Sequence, residues 1–488
     1  MLVSLELPAG IYRNGTEYQS SGRYFDCNLV RFYEGQIRPV GGWRRKSETA
    51  VAGKGREIIT WRDNSQQLWA GIGTESNLYS MTLSGVITDI TPAGLTVGLA
   101  DAGNGGGYGT GVYGASDYGL PITSVNSIIP ATVWSLDQWG ENLVGVSPAD
   151  GTIYEWVPNS GPAVPIASAP QARSLLVTGE RILMAFGTDG DPRKISWSDQ
   201  ENNANFVPVT NNQAGDFTLQ TPGEILTAVK IPGGALIFTE TDVHRAEYLG
   251  PPLVYGFPIV GDGSGAISQN SVVATDGRVF WMGPQGFWSY SGFVDELQCD
   301  VSDHVFRNLN RAQISKVTAF HNSAFGEIWW FYPANDANEN DSYVIYSYRE
   351  GHWSIGKLAR LSATDMAPFQ YPLMVGDDGY VYEHEIGYNH GDMTAFLEGG
   401  PVEIGQGDQV AYAHQYVPDN SSLGDVSVSF AARLYPHAKE EFYGPYSATV
   451  LTDIRLSGRQ VKVRYEAAPN VDWRIGRTRV DVHAGGRR

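Results

Sequence analysis

Only two cysteines, Cys27 and Cys299, occur among 488 residues. That number excludes a disulfide framework and a cysteine-built zinc site, and it fits a reducing compartment. The opening stretch, MLVSLELPAGIYRNG, has neither the basic start nor the apolar run of a secretory leader. No run approaches the roughly 18 apolar residues that a membrane-crossing helix needs. Helical periodicity is scarce as well. The best candidate is Asp303 to Leu309, preceded by Ser302 as a plausible cap. Positive charge is also short: 34 Lys and Arg face 53 Asp and Glu, a net charge of −19. A chain of that charge is not expected to wrap DNA or to lie on an anionic membrane.

The deficit is uneven. Residues 1–56 carry nine Lys/Arg against five Asp/Glu, and residues 451–488 carry nine against four. Two basic ends, at +4 and +5, therefore flank a body of −28. Such a body repels phosphate, while the ends are suited to an acidic partner.

What the chain has in abundance is glycine (58), tyrosine (26) and short strand signals. Glycine supplies the turns and tyrosine suits half-buried strands. Seven blocks share one grammar: Glu57–Thr91, Thr132–Ala167, Ala172–Asp199, Glu224–Gly250, Ser271–Gly292, Lys316–Ile355 and Leu361–Gly387. In each, a strand ends in a polar turn, a strongly apolar strand follows, and a Gly or Asp turn leads to an aromatic third strand. Repeats of about 40–50 residues with three or four strands are how propeller blades read, because a lone blade cannot cover both faces of its sheet. The expected fold is an all-β propeller of six or seven blades. Trp69, Trp156, Trp197, Trp281, Trp288, Trp329 and Trp330 are expected in its core.

Three regions follow from this reading: an N-terminal β arm over 1–56, the propeller over 57–390, and a C-terminal β domain over 391–488. The tail segments VSVSFAARLYP and DIRLSGRQVKVRYEAA alternate with period two, as does NLVRFYEGQIRPVGGWRR near the start. The two ends are expected to share one β domain. An insertion at 94–128 interrupts the repeat with Tyr108, Tyr113 and Tyr118, each followed by glycine and spaced five apart. Tyrosines on a glycine-rich backbone provide contact area at low side-chain entropy cost, as in recognition loops, and an ordinary surface loop reads the same way.

Catalytic motifs do not stand out. The chain has no Walker-type phosphate loop and no HExxH, and GDGSGAIS at Gly261–Ser268 reads as a turn rather than a nucleophile elbow. The densest metal-type cluster is Glu383, His384, Glu385, His390 and Asp392. Strand alternation points Glu383 and Glu385 away from His384, so local convergence on a metal is not expected. SPADGTIYEW at Ser147–Trp156 approaches the turn motif of sialidase-like propellers, but its spacing differs and it does not recur. The expectation is a structural protein, not an enzyme, with no cofactor and no metal.

The run Asn28, Leu29, Val30, Arg31, Phe32, continuing from Gly35 to Gly42, resembles the start of tail nozzle proteins of short-tailed bacteriophages, also called tail tubular protein B or packaged-DNA stabilisation proteins. The insertion, the segment KISWSDQENNANF and the Arg-rich close are similar in layout. The resemblance implies a virion tail protein, assembled in the host cytoplasm into a ring, usually sixfold, beneath a tail adaptor or head-completion protein. Its axial channel would retain and then conduct double-stranded DNA without specific binding, with no membrane insertion. Fibres, spikes or a needle or plug protein are the further partners implied. On that reading Arg31, Arg38, Arg44 and Arg45 are the candidates for docking the adaptor, and Tyr108, Tyr113 and Tyr118 for an inter-subunit or gating loop. A propeller-type glycosidase or polysaccharide depolymerase is the alternative. It calls for acids and aromatics gathered at one propeller mouth. A ligand-binding propeller would need near-identical sites on successive blades, which these blocks do not offer.

Overall fold

Inner strands from seven successive sheets meet around one axis. A computed structural model describes residues 2–107, 122–275, 277–404, 409–422 and 424–486. Blades 1 to 6 start at the strands Glu57–Arg62, Ser135–Trp139, Ser174–Val177, Ile225–Ile231, Val272–Thr275 and Thr318–Asn322. Each continues outward as an antiparallel meander of at least four strands. The seventh contributes only three strands of its own, Arg360–Thr364, Leu373–Gly376 and Val381–His384. Its fourth and outermost strand is Trp43–Arg45 from near the N-terminus, paired Glu383 to Arg44. The innermost strand of each blade packs against those of its two neighbours, and the seventh against the first, so the ring closes. The fold is an all-β propeller of seven blades.

The blades adhere through aromatic and aliphatic side chains that the alternating strands place between sheets. Trp61, Trp69, Trp134, Tyr154 and Trp156 fill the gap between blades 1 and 2, with Trp69 and Trp156 meeting edge to face at 5.3 Å. Gly73 belongs to this junction: a Cβ there would lie 2.5 Å from the Trp134 ring. Buried indole N–H groups find acceptors. Trp69 donates to Asp63, Trp281 to the Ser264 carbonyl and Trp330 to the Ser271 carbonyl, at 2.9, 2.8 and 3.0 Å. Trp69, Trp156, Trp197, Trp281, Trp329 and Trp330 are buried, whereas Trp288 is half-buried at the junction of blades 4 and 5.

The chain ends form the additional β domain together. One sheet orders Leu2–Ser4, Arg479–Ala484, Ala411–Val417 and Thr452–Gly458. The other orders Tyr24–Asn28, Phe396–Gly399, Gln460–Ala467, Val426–Arg433 and Glu441–Ser447, with Val402–Glu403 joining Gln460–Ala467. Val461, Val463, Tyr465, Ile454, Leu456, Tyr416 and Trp473 from these strands share one core with Trp329, Trp330, Tyr332 and Trp353 of blade 6 and Phe280 and Phe287 of blade 5. The first 56 residues are thus divided: two strands enter the terminal sheets, a hairpin of Val30–Tyr33 and Gln36–Pro39 bridges, and Trp43–Arg45 enters the propeller. The α-helix sits at Ser302–Asn308, one residue from its expected position.

Candidate functional surfaces: the N-terminal arm and the propeller mouths

Of the four arginines expected to dock a partner, Arg31 is the one the fold removes from the surface. Its side chain is 2% exposed. The two Glu385 oxygens accept from its Nη1 and Nη2 at 2.9 and 2.5 Å, and Glu327 accepts from Nη2 at 2.9 Å. Phe325 covers the guanidinium at 3.7 Å. Burial alone would lower its affinity for the proton, but the two facing carboxylates outweigh that and hold it above its ordinary pKa. The carboxylates are held in turn: Asn322 Nδ2 and the Gly41 N–H donate to Glu385, and the Trp329 indole donates to Glu327. Arg31 is therefore an internal clamp between the N-terminal hairpin and blades 6 and 7. The docking assignment is corrected for this residue, because a guanidinium 2% exposed and paired with two carboxylates is not within reach of a partner's surface.

Arg38 is half-buried, stacked over Tyr33 at 4.3 Å and Phe325 at 5.0 Å. Burial, and then the nearby Arg31 and Arg474 charges, lower its pKa. Arg44 and Arg45 are exposed on the outermost strand of blade 7. Arg44 Nε donates to Glu383 at 2.7 Å, and Arg45 lies over the Tyr380 ring at 4.7 Å. Only this outer edge presents predicted docking cations to solvent.

The residues of the metal-type cluster are engaged separately. Glu383 pairs with Arg44 and Lys46, and Glu385 with Arg31. His384 Nε2 accepts from Arg360 Nε at 2.9 Å, and His390 Nε2 lies 2.9 Å from the Val40 carbonyl. Among the described residues, no three potential ligands come together.

Tyr108, Tyr113 and Tyr118 lie outside the described residues. The two arms that lead to them are described: Gly103–Gly107 and Ile122–Ile129 pair as an antiparallel ribbon. Its root is fastened to the far side of the propeller mouth. Lys316, fully buried, reaches Asp101 at 2.5 Å and Glu339 at 3.1 Å. Arg56 pairs with Glu339 at 2.7 Å and donates to the Ala100 carbonyl. Gln313 accepts from the Ala102 N–H, and Ser315 from the Ala131 N–H. The hydrogen bond from Lys316 lowers the Asp101 pKa and keeps it charged. The pairs Lys316–Asp101 and Arg56–Glu339 were invisible in the sequence, since their members lie more than 200 residues apart.

Beneath the ribbon root is a cavity of about 720 Å³ with Val97, Leu99, Ile128, Ile129, Arg173 and Arg311 on its wall. Glu224 and Glu240 line it too, and among the described residues no aromatic does. Gln269 leads from there into the axial lumen, about 310 Å³, where all seven inner strands contribute. Lys230 and Asp137 pair in this lumen at 2.9 Å, and Glu57 takes a hydrogen bond from Asn270. Burial raises the Glu57 pKa to about 8 despite that bond.

No family model and no curated protein matches the chain. Solved structures similar to it are propellers. A streptogramin B lyase aligns over 70% of this chain and 96% of its own at 8% identity, with a TM-score of 0.42. A virginiamycin B lyase from Staphylococcus aureus does so at 7% identity and 0.41, over 70% and 97%. The WD40 domain of Neurospora crassa Pan2 aligns over 70% and 95% at 8% and 0.39. The expectation that the chain is not an enzyme is corrected here. Two of these propellers are lyases, so a propeller fold is no ground for setting catalysis aside. At such identity the likeness is one of architecture and brings no activity to this chain.

Proposed function

We propose that this chain is a structural subunit of a bacteriophage tail nozzle, several copies of which surround the path that retains and then conducts the genome. The observation that carries the reading is where the nozzle-like residues fall. The run from Asn28 to Arg45 forms the bridging hairpin, the Arg31 clamp and the closing strand of blade 7. It joins propeller and terminal sheets at a shared core, which suits a part that bears load. The acidic body favours passage of DNA over its retention by contact, since phosphate attraction is what sequence-independent DNA binding rests on. On this reading the conduit lies between copies and not along the propeller axis, which the inner strands of all seven blades line closely. Arg44 and Arg45, at the outer edge of blade 7, are the cations offered to the adaptor. The ribbon between blades 1 and 2 is the element positioned to meet a neighbouring copy or the bore.

The depolymerase alternative asks for acids and aromatics at one mouth, and the cavity at the ribbon mouth has acids, Glu224 and Glu240, but no aromatic among the described residues. Sugar rings are gripped by aromatic faces, so that cavity favours the nozzle reading. The experiment is complementation. Particles made without this chain are expected to lose packaged DNA and to regain retention when the purified chain is added. Full retention in its absence would overturn the proposal.

A further inference from the structure

At the mouth opposite the ribbon, a strand end and two connecting segments bring together a carboxylate, an imidazole and a phenol. His321 lies near the end of the inner strand of blade 6. Asp365 follows the inner strand of blade 7, and Tyr348 follows the third strand of blade 6. Asp365 Oδ2 is 3.4 Å from His321 Nδ1, and His321 Nε2 is 3.1 Å from the Tyr348 hydroxyl. The carboxylate is oriented independently of the histidine: Oδ1 accepts from Ser323 Oγ at 3.0 Å and from the Met366 N–H at 2.7 Å. The phenol ring is fixed by stacking on Phe280 at 5.6 Å. All three side chains are partly exposed.

A carboxylate can only accept, so the neutral tautomer that matches Asp365 is the one with its hydrogen on Nδ1, and in that tautomer the Nε2 lone pair faces the Tyr348 hydroxyl. That is the arrangement of a nucleophile, a base and a group that orients the base. From it we propose that Tyr348 is a nucleophilic site for activated acyl esters, with His321 as its base and Asp365 as a positioning residue. The inference goes beyond the nozzle reading and does not depend on it.

The step balances without a cofactor. Tyr348 Oη attacks the ester carbonyl carbon, and its proton passes to His321 Nε2. The C–O bond to the leaving group then breaks, and the departing oxygen takes the electron pair and the proton from His321. The products are O-acyl-Tyr348, the free alcohol and neutral His321.

The test uses the full chain and p-nitrophenyl acetate, with acetylation of each of the 26 tyrosines mapped by mass spectrometry. Tyr412 is 47% exposed and serves as the internal reference. Tyr348 is expected to acetylate at least tenfold faster than Tyr412. His321→Gln is expected to bring it down to the Tyr412 rate, and added imidazole to restore the rate in His321→Ala. Asp365→Asn should slow acetylation severalfold while Asp365→Glu retains most of it, with far-ultraviolet circular dichroism unchanged in both. Acetylation of wild-type Tyr348 no faster than Tyr412 would overturn the proposal, and needs no variant to fold. So would a His321→Gln protein with the wild-type rate, or a folded His321→Ala protein that imidazole does not restore.

Discussion

Blades 1 to 4 and blade 6 are built from the same kind of strand but are held in different ways. Around the first four, each junction is a separate apolar cluster: Trp61 with Trp156, Leu175 with Val144, and Ile225 with Trp197. Blade 6 belongs instead to one continuous core with blade 5, the helix Ser302–Asn308 and both terminal sheets. The N-terminal strand of blade 7 ties this half to the chain's beginning. The difference shows how a propeller can be given a handle. Seven equivalent junctions make a ring, and joining one of them to the terminal sheets through a shared core ties the ring to a second domain. Local opening should follow the same division, since separate clusters open singly and a shared core opens as a unit.

The largest expected effect breaks that tie. Arg31→Ala leaves Glu327 and Glu385 without their cation and should destabilise the protein by about 3–5 kcal/mol. In amide exchange monitored by mass spectrometry, protection should fall in blade 6 and in the terminal sheets together. On the other side of the comparison, Gly73→Ala drives a methyl into Trp134 and should cost about 1–3 kcal/mol, with lost protection confined to blades 1 and 2. Protection lost across the whole chain in both variants would erase the distinction.

A smaller effect reads the axis. Glu57 has a raised pKa of about 8 because of burial. Between the ordinary carboxylate range and that value the unfolded chain has released the proton while the folded chain holds it, so stability falls as pH rises through this window. Glu57→Gln should flatten that slope and make the variant more stable than wild type at pH 8, by about 1–2 kcal/mol given the residue's partial exposure. Chemical denaturation at pH 5, 6.5 and 8 measures it. The smallest effect on folding belongs to the outer edge of blade 7. Arg44→Ala with Arg45→Ala should leave thermal unfolding unchanged while weakening attachment to particles that lack the chain.

Much of the propeller was legible because its signal is local. Period-two alternation and polar turns mark each of the seven blocks, and the helix at Ser302–Asn308 announced itself by its spacing, although Ser302, expected as its cap, is its first residue and no side chain caps it. The sharing of sheets by the two ends was also readable from their alternating strands. What the sequence concealed is long-range. The last block, from Leu361 to Gly387, reads like the others, and nothing in it shows that Trp43–Arg45 supplies its fourth strand. Nothing in the neighbourhood of Arg31 marks it as buried, because Glu327 and Glu385 arrive from about 300 residues and more away. An arginine in an alternating basic strand reads as a surface cation until its partners are placed. The same holds for Asp365, His321 and Tyr348, which sit on three different segments and share no motif.

The most direct test of the central claim is cryo-electron microscopy of purified chain added to particles that lack it. The account predicts a ring of copies at a single vertex, with the genome path running between propellers and each propeller axis closed. A chain that stays monomeric and leaves the particles bare, or one that threads DNA through its own propeller, would contradict it.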